Sequence, residues 1–155
     1  MQRTTDYRGV IWLVGLTQLV MTTDFSIVSV ALPSIARGFH LTPAALAWVI
    51  SAGALPAAGL LILAGRAADI FGQRRCMLVG LAVFAAGSLG AAFAPSFPVM
   101  LAARAMQGLG GAILTPANFS LINTLVPEGS PRHKALGVFG VMQGFSLVIG
   151  LMLGG

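Results

Sequence analysis

The sequence contains few charged residues, and this scarcity excludes most classes of soluble protein. Only 8% of the 155 residues are Asp, Glu, Lys or Arg, whereas 57% are hydrophobic. The mean hydropathy is correspondingly high, at +0.91. A soluble domain needs more polar side chains than this to cover its surface. The composition therefore predicts a protein that lies within a lipid bilayer.

Cysteine and histidine are also scarce, which leaves little material for a catalytic or metal site. Cys76 is the single cysteine, and the two histidines, His40 and His133, lie in predicted loops on opposite sides of the bilayer. No cluster has metal-ligand spacing, and no nucleophile lies beside a base. We therefore expect no enzyme activity, no metal and no cofactor. The basic residues are scattered between apolar segments, which argues against nucleic acid as a partner.

Long apolar segments are abundant. A helix needs about 20 apolar residues to cross the roughly 30 Å of hydrocarbon in a bilayer. Five segments meet this requirement, and they are Val10 to Leu32, Ala44 to Gly65, Cys76 to Ala94, Val99 to Val126 and Ala135 to Gly155. Turn-forming and helix-breaking residues occupy the gaps between them. We therefore expect an all-α, multi-pass helical bundle over residues 1–155, without a soluble domain.

The distribution of basic residues predicts the orientation of these spans. Lys and Arg collect in cytoplasmic loops, and here one set of alternate segments holds nearly all of them. The segments predicted to be cytoplasmic contain Arg3, Arg8, Arg66, Arg74, Arg75, Arg132 and Lys134, whereas the segments on the outer side contain only Arg37. This asymmetry predicts a protein of the cell membrane with a cytoplasmic N-terminus. No charged or polar residue follows Gly154 and Gly155, and we interpret the sequence as a fragment of a longer chain.

Two charged residues lie inside predicted spans. Asp24 in span one and Arg104 in span four are each expected about 9 to 12 Å below the outer face, at about 1.5 Å per residue. A charge at the middle of a membrane helix costs about 2.5 to 3.5 kcal/mol on insertion scales, so it usually faces a partner or an aqueous cavity. The two residues could form a structural pair that neutralises itself. Alternatively, Asp24 is a protonatable carboxylate that works with Arg104.

Span four carries a stripe of polar and small residues. At about 100° per residue, one face narrower than a third of the circumference holds Arg104, Gln107, Gly108, Gly111, Thr115 and Asn118. This face indicates a helix that lines a polar cavity, although helix packing uses similar residues. In span five, glycines recur on one face at Gly137, Gly140 and Gly144, and again at Gly150 and Gly154. Such a pattern predicts close packing against a neighbouring helix.

These elements resemble the start of a major facilitator superfamily transporter, most closely its drug/proton antiporter branch with fourteen spans. The stretch "DFSIVSVALPSI" is similar to the span-one signature of that branch, although Phe25 and Ser29 depart from it. The stretch "GRAADIFGQRR" is similar to the cytoplasmic loop motif of the family, in which two glycines are expected to permit the turn. The matching positions of this loop are Gly65, Ala68, Asp69, Gly72, Arg74 and Arg75.

Two further motifs of that family fall in spans four and five. "RAMQGLGGA" is similar to the motif in which a membrane arginine precedes Gln-Gly, and the resemblance implies a part in proton transfer for Arg104. Span five resembles the antiporter motif at Gly137, Gly150, Gly154 and Gly155. It departs from that motif at Ser146, which replaces a glycine, and at Leu151, which replaces a proline.

The resemblance implies the first five transmembrane helices of a major facilitator fold and proton-coupled efflux of drugs or other small amphipathic molecules by alternating access. Asp24, Arg104, Gln107 and Asn118 are the expected cavity residues. The expected partners are substrate, protons, lipid and the remaining helices of the full-length chain, without which the fragment is expected to be inactive. A proton-coupled metabolite importer of the same fold and a non-transporting truncated protein are the alternatives.

Overall fold

The computed structural model describes residues 7–154 of the chain. Its helices are α1 (Tyr7–Gly38), α2 (Pro43–Phe71), α3 (Gln73–Ala92), α4 (Phe97–Leu125) and α5 (Ser130–Gly154). Each of these five helices is long and apolar enough to cross a membrane. The structure thus confirms the predicted all-α, five-span architecture. Arg3 and Gly155, which entered the predictions of orientation and helix packing, lie outside the described residues.

The first helix is longer than the apolar run that predicts it. Span one was expected to end at Leu32, but α1 continues through Pro33 as far as Gly38. Proline removes only one intrahelical hydrogen bond, and membrane helices tolerate it where other groups satisfy the freed carbonyl. The end of the apolar run at Leu32 predicts where the chain leaves the hydrocarbon of the bilayer. The helical conformation of α1 continues beyond that point to Gly38.

Local capping explains where α2 begins. Thr42 has extended backbone angles, and its hydroxyl oxygen accepts a hydrogen bond from the backbone N–H of Ala45 at 3.3 Å. Pro43 follows at the first helical position, where its fixed φ suits a helix and its missing N–H costs nothing. These two residues therefore fix the start of α2 at Pro43, one residue before the apolar segment begins at Ala44.

Two glycines turn the chain between helices. Gly72, with φ of 90°, is the single residue that separates α2 from α3, and Gly129, with φ of 93°, precedes α5. Residues with a Cβ atom rarely adopt a φ in this range, so glycine is favoured at both positions. The expectation that Gly65 also contributes to the loop turn is wrong. Gly65 lies inside α2, where backbone hydrogen bonds hold it in a helical conformation.

Within the described range, the chain divides into two compact units. One comprises residues 7–30 and 118–154, and the other comprises residues 31–117. In the first unit, α1 packs against α5. A Cβ added at Gly15 of α1 would lie 3.3 Å from a methyl group of Val138 in α5. The end of α4 also contacts α5, where the ring centroids of Phe119 and Phe139 lie 5.2 Å apart. Apolar contacts and close backbone approach thus hold this unit together.

The second unit packs α2 and α3 against α4 through glycine. A Cβ at Gly110 of α4 would lie 2.6 Å from the backbone nitrogen of Phe84 in α3. On α3, a Cβ at Gly80 would lie 3.0 Å from the side chain of Leu114. These distances leave no room for a side chain, so the backbones of α3 and α4 lie almost in contact. Close approach of this kind gives dispersion contacts in a membrane, where the hydrophobic effect between helices is weak.

Helix α4 is the most buried of the described helices. In its most apolar stretch 44% of the residues are buried, against 6% in the corresponding stretch of α2. The buried polar residues include three from α4, namely Arg104, Gln107 and Asn118. The helix for which the sequence predicts a polar stripe is therefore also the most buried of the described helices.

Candidate functional site

The candidate site is built around a buried charge on α4. Arg104 is only 5% exposed, and its Nη1 donates a hydrogen bond to Oε1 of Gln107, one turn further along the helix. Gln107 is itself 3% exposed. Because a buried charge is costly unless hydrogen bonds compensate it, the amide oxygen of Gln107 both stabilises and orients the guanidinium group. The structure thus brings together two of the predicted cavity residues.

Glycines of α2 and α3 position this pair. A Cβ added at Gly53 of α2 would lie 3.4 Å from the carbonyl oxygen of Arg104 and 3.6 Å from Nη2. A Cβ added at Gly87 of α3 would lie 2.7 Å from the backbone nitrogen and Cγ of Gln107. A larger residue at Gly87 would therefore displace Gln107, while Gly53 forms one wall of the space that holds the guanidinium group.

The contact between Gly108 and Gly53 is the tightest of these approaches. A Cβ at Gly108 would overlap the carbonyl group of Gly53. A backbone carbonyl cannot rotate away as a flexible side chain can, so the clash could be relieved only by separating α2 from α4. The Gln-Gly pair of the predicted motif therefore has a physical basis, since Gln107 holds the arginine and Gly108 admits the neighbouring helix.

Asp24 lies in the first unit, half-buried on α1. The face of α1 that contacts α5 includes Gly15 and Ser26, since a Cβ at Gly150 of α5 would overlap the Cβ of Ser26. At about 100° per residue, Asp24 is about 160° from Ser26 and about 180° from Gly15 around the helix axis. Asp24 therefore points away from α5. Arg104 belongs to the second unit, and pairing between these two residues stays a prediction.

Asn118 differs from the other predicted cavity residues. Its side chain has no solvent exposure, and neither Oδ1 nor Nδ2 has a hydrogen-bond partner among the described residues. Thr115, one turn earlier on the same face, donates its hydroxyl proton to the carbonyl oxygen of Gly111 at 2.9 Å. The polar face of α4 therefore ends, in the C-terminal half of the helix, in an amide whose hydrogen-bonding groups have no partner among the described residues.

Most of the predicted cytoplasmic loop motif is helical. Gly65 and Asp69 lie in α2, and Asp69 is exposed near its last turn. Arg74 and Arg75 are exposed in the first turn of α3. Within the part of the chain that the structure describes, Asp69 forms no ion pair with either arginine. The motif is therefore a tight helical corner at Gly72, with charged side chains on its outer surface.

The glycines of α5 are not equivalent. Gly150 packs directly against α1, as described above, whereas a Cβ at Gly137, Gly140 or Gly144 would meet nothing within 4 Å. Gly154 is the last residue of α5. Ser146, which departs from the predicted motif, is fully buried and donates its hydroxyl proton to the carbonyl oxygen of Met142. Among the described helices, close approach to α5 therefore occurs at Gly150, and packing of Gly137, Gly140 and Gly144 against a neighbouring helix stays a prediction.

Substitution of Gly150 by alanine should separate α1 from α5. The added methyl group would overlap Ser26, and overpacking of this kind costs about 1 to 3 kcal/mol. We expect a lower thermal unfolding midpoint for purified Gly150→Ala protein. The matched control is Gly140→Ala, in which the new methyl group occupies open space in the same helix. Equal midpoints for the two variants would contradict the contact.

Arg132 is a structural residue that the sequence reasoning counted only as a basic residue. Its Nη2 donates hydrogen bonds to the carbonyl oxygens of Asn123 at 2.9 Å and Val126 at 3.3 Å, and Nη1 contacts Oε1 of Glu128 at 3.3 Å. The last carbonyl groups of a helix lack intrahelical donors and carry partial negative charge. Arg132 therefore caps α4 from the start of α5. A basic residue placed shortly after a helix end and a turn glycine is the signal that could have identified it.

Loss of this cap should destabilise the corner between α4 and α5. Hydrogen bonds from a charged donor contribute about 1.5 to 3 kcal/mol, with the lower end appropriate to a partly exposed side chain. We expect Arg132→Gln to lower the thermal unfolding midpoint by about 3 to 6 °C. Lys134→Gln, which removes an exposed charge two residues away, should leave the midpoint unchanged. An equal decrease of the midpoint in both variants would attribute the effect to the loss of positive charge and would contradict the proposed cap.

A protein-family model described as Major Facilitator Superfamily matches residues 14–155. The chain belongs to the major facilitator superfamily. It is therefore a multi-pass membrane protein of a transporter family rather than an enzyme.

Curated relatives in the superfamily are associated with drug resistance and export. The chain is 43% identical over 138 residues to the puromycin resistance protein pur8 of Streptomyces alboniger, covering 89% of this chain and 27% of that protein. It is 42% identical over 132 residues to the cephamycin export protein CmcT of Amycolatopsis lactamdurans, covering 85% and 27%. It is 34% identical over 143 residues to the multidrug efflux pump LfrA of Mycolicibacterium smegmatis, covering 92% and 28%. The chain thus spans little more than a quarter of the length of these relatives.

Proposed function

We propose that this chain is the N-terminal part of a proton-coupled exporter of drugs or other small amphipathic molecules. The observation that carries the proposal is the buried Arg104–Gln107 pair on a membrane-spanning helix. A charge buried at membrane depth is expensive and is usually retained for transport or ion binding. The relatives named for puromycin resistance, cephamycin export and multidrug efflux support export as the direction.

Asp24 is the proposed site of proton binding. It lies on the face of α1 that is turned away from α5, and it is only half-buried. A carboxylate in such a position can gain and lose a proton as water and a nearby cation approach it or withdraw. In this proposal, Asp24 carries a proton in one state of the cycle and releases it in the other, and Arg104 takes part in that proton transfer. The pair therefore couples proton uptake to substrate release.

The mechanism is alternating access, in which two bundles rock around a site near the middle of the membrane. Five spans supply less than the two bundles that this mechanism needs, so we propose that the chain acts together with the remaining helices of a longer protein. The proposed partners are thus those helices, the lipid bilayer, protons and a small-molecule substrate. The five helices by themselves are proposed to be inactive.

The length of the native protein tests this part of the proposal. An antibody raised against "PEGSPRHK" would detect the protein in isolated membranes after denaturation. We expect a band several times heavier than the 15.9 kDa of this chain. A band near 15.9 kDa would contradict the proposed full-length transporter.

The direction of transport is tested in inside-out membrane vesicles that contain the full-length protein. Ethidium is a suitable fluorescent probe because it is both apolar and cationic. Acidification of the vesicle interior by respiration should drive ethidium inward, and nigericin, which exchanges the proton gradient for potassium, should stop this uptake. Absence of gradient-dependent uptake for ethidium and for a panel of amphipathic drugs would overturn the export proposal.

A proton-coupled importer of the same fold is the second candidate. The observation that favours it is the uninterrupted course of α5 through Leu151, where the resembling antiporter motif has a proline. An importer would accumulate its substrate in right-side-out vesicles with an inward proton gradient. Inside-out and right-side-out vesicles together therefore distinguish the two candidates by the direction of proton-dependent flux.

The proposed orientation places the N-terminus on the cytoplasmic side, and it rests on the distribution of Lys and Arg.

A further inference from the structure

Asn118 is a buried polar group for which neither the fold nor the proposed proton pathway provides a use. Its side chain is completely buried, and both Oδ1 and Nδ2 lack hydrogen-bond partners among the described residues. An amide carries two donor protons and an acceptor oxygen. Burial of such a group without partners is costly, and native proteins rarely retain one without a reason.

The helix that carries Asn118 cannot satisfy it. The residues one turn away are Leu114, Leu121 and Ile122, which are apolar and buried, and Thr115. The Thr115 hydroxyl already donates its proton to the carbonyl oxygen of Gly111. No side chain of α4 within reach therefore offers the donor and acceptor pair that a carboxamide needs.

The position of Asn118 on α4 relates it to the candidate site. Asn118 and Gln107 both belong to α4, and Asn118 follows eleven residues after Gln107 in the sequence. Both residues lie on the polar stripe that the sequence predicts for this helix. The amide of Gln107 is engaged by the arginine, whereas that of Asn118 is unused. Gln107 thus holds a charge, whereas the hydrogen-bonding groups of Asn118 are without a partner among the described residues.

We propose that Asn118 is a substrate-binding residue that recognises a neutral amide edge, or a similar edge with adjacent hydrogen-bond donor and acceptor groups. This inference rests on the proposed export function and specifies its substrate class. A carboxamide can donate from Nδ2 and accept at Oδ1 at the same time, and an amide edge complements both groups. The ligand reaches Asn118 when the helices rearrange during alternating access. A lipophilic cation without hydrogen-bonding groups gains nothing from this residue.

The first experiment measures binding to the purified full-length protein by ligand-dependent thermal shift. Chloramphenicol carries a neutral secondary amide, and tetraphenylphosphonium has no hydrogen-bond donor or acceptor. We expect Asn118→Leu to weaken chloramphenicol binding about tenfold, as the loss of one or two buried hydrogen bonds implies. The affinity for tetraphenylphosphonium should change less than twofold. Asn118→Ala, which removes the amide without adding volume, should give the same selective loss.

The control variant is Ser120→Ala, which removes a hydroxyl group about 160° from Asn118 around the axis of α4 and should not change either affinity. In the absence of ligand, Asn118→Leu should unfold at the same temperature as the wild type or at a higher one, because it removes an unpartnered buried amide. A lower midpoint would reveal a structural hydrogen bond and overturn the proposal. Equal losses for both probes, or no binding of chloramphenicol by the wild type, would also overturn it.

Binding and transport are measured separately, so the two proposals can fail independently. A protein that binds chloramphenicol through Asn118 but moves no probe in vesicles would contradict the export function and support the binding residue. A protein that transports tetraphenylphosphonium but does not bind chloramphenicol would support export and overturn the role of Asn118.

Discussion

Proton-driven transport by the full-length protein should fall to the background level when Asp24 is replaced by asparagine. Asparagine has nearly the same shape as aspartate but cannot bind and release a proton in the physiological range. The substitution also removes a charge from a membrane helix, which lowers the cost of insertion by about 2.5 to 3.5 kcal/mol at most. The amount of protein in the membrane should therefore remain at the wild-type level. Ethidium uptake into acidified inside-out vesicles provides the measurement.

Exchange without a proton gradient separates a loss of coupling from a loss of structure. Because the asparagine side chain would resemble the protonated carboxyl group, substrate exchange at equilibrium should continue in the Asp24→Asn variant. Ser29→Ala is the matched control on α1, since the Ser29 hydroxyl donates its proton to the carbonyl oxygen of Phe25 in the same helix. Undiminished uptake by Asp24→Asn would exclude Asp24 as the coupling residue.

Among the glycines whose surroundings the structure describes, Gly108 should be the one whose replacement by alanine is most damaging. The new Cβ would overlap the backbone carbonyl of Gly53, and neither helix can relieve the clash by a side-chain rotation. Overpacking costs about 1 to 3 kcal/mol where side chains can adjust, so we expect a loss at or above the upper end of this range. Separation of α2 from α4 would also move Gly53 away from the guanidinium group of Arg104.

Two measurements check this prediction. Thermal unfolding of purified Gly108→Ala protein should begin at a clearly lower temperature, and ethidium transport should be lost even at temperatures where the protein remains folded. Gly144→Ala is the control, because a Cβ at Gly144 meets nothing within 4 Å. Wild-type stability of the Gly108 variant would mean that α2 and α4 are not in backbone contact.

The number and type of the helices could be predicted because a bilayer imposes a simple requirement. Each span needs about 20 apolar residues, and composition alone reveals such segments. The helix ends could not be predicted equally well. Pro33 lies within α1 and Gly65 within α2, although both residue types usually interrupt helices. Hydropathy records contact with lipid, whereas helix ends depend on backbone hydrogen bonds and on single residues such as Gly72.

The candidate site could be predicted in part. The spacing of Arg104 and Gln107 on one helix predicts their proximity, because residues three apart lie on the same face. The contributions of Gly53 and Gly87 could not be predicted, since one sequence does not reveal which helices are neighbours. The absence of a hydrogen-bond partner for Asn118 among the described residues is likewise visible only in three dimensions. Sequence periodicity therefore identifies the polar face of α4, and the three-dimensional structure is needed to identify the residues of α2 and α3 that contact it.

The short connections between helices also determine how the native chain would respond to proteases. A single residue joins α2 to α3, and Arg66, Arg74 and Arg75 all lie within these helices. Arg132 and Lys134 lie in the first turns of α5, close to the second turn glycine. Trypsin cleaves extended segments, and a helix must open before it fits the protease. Tryptic cleavage at these five sites would therefore report the opening of helix ends, and its rate would follow the equilibrium population of the frayed state.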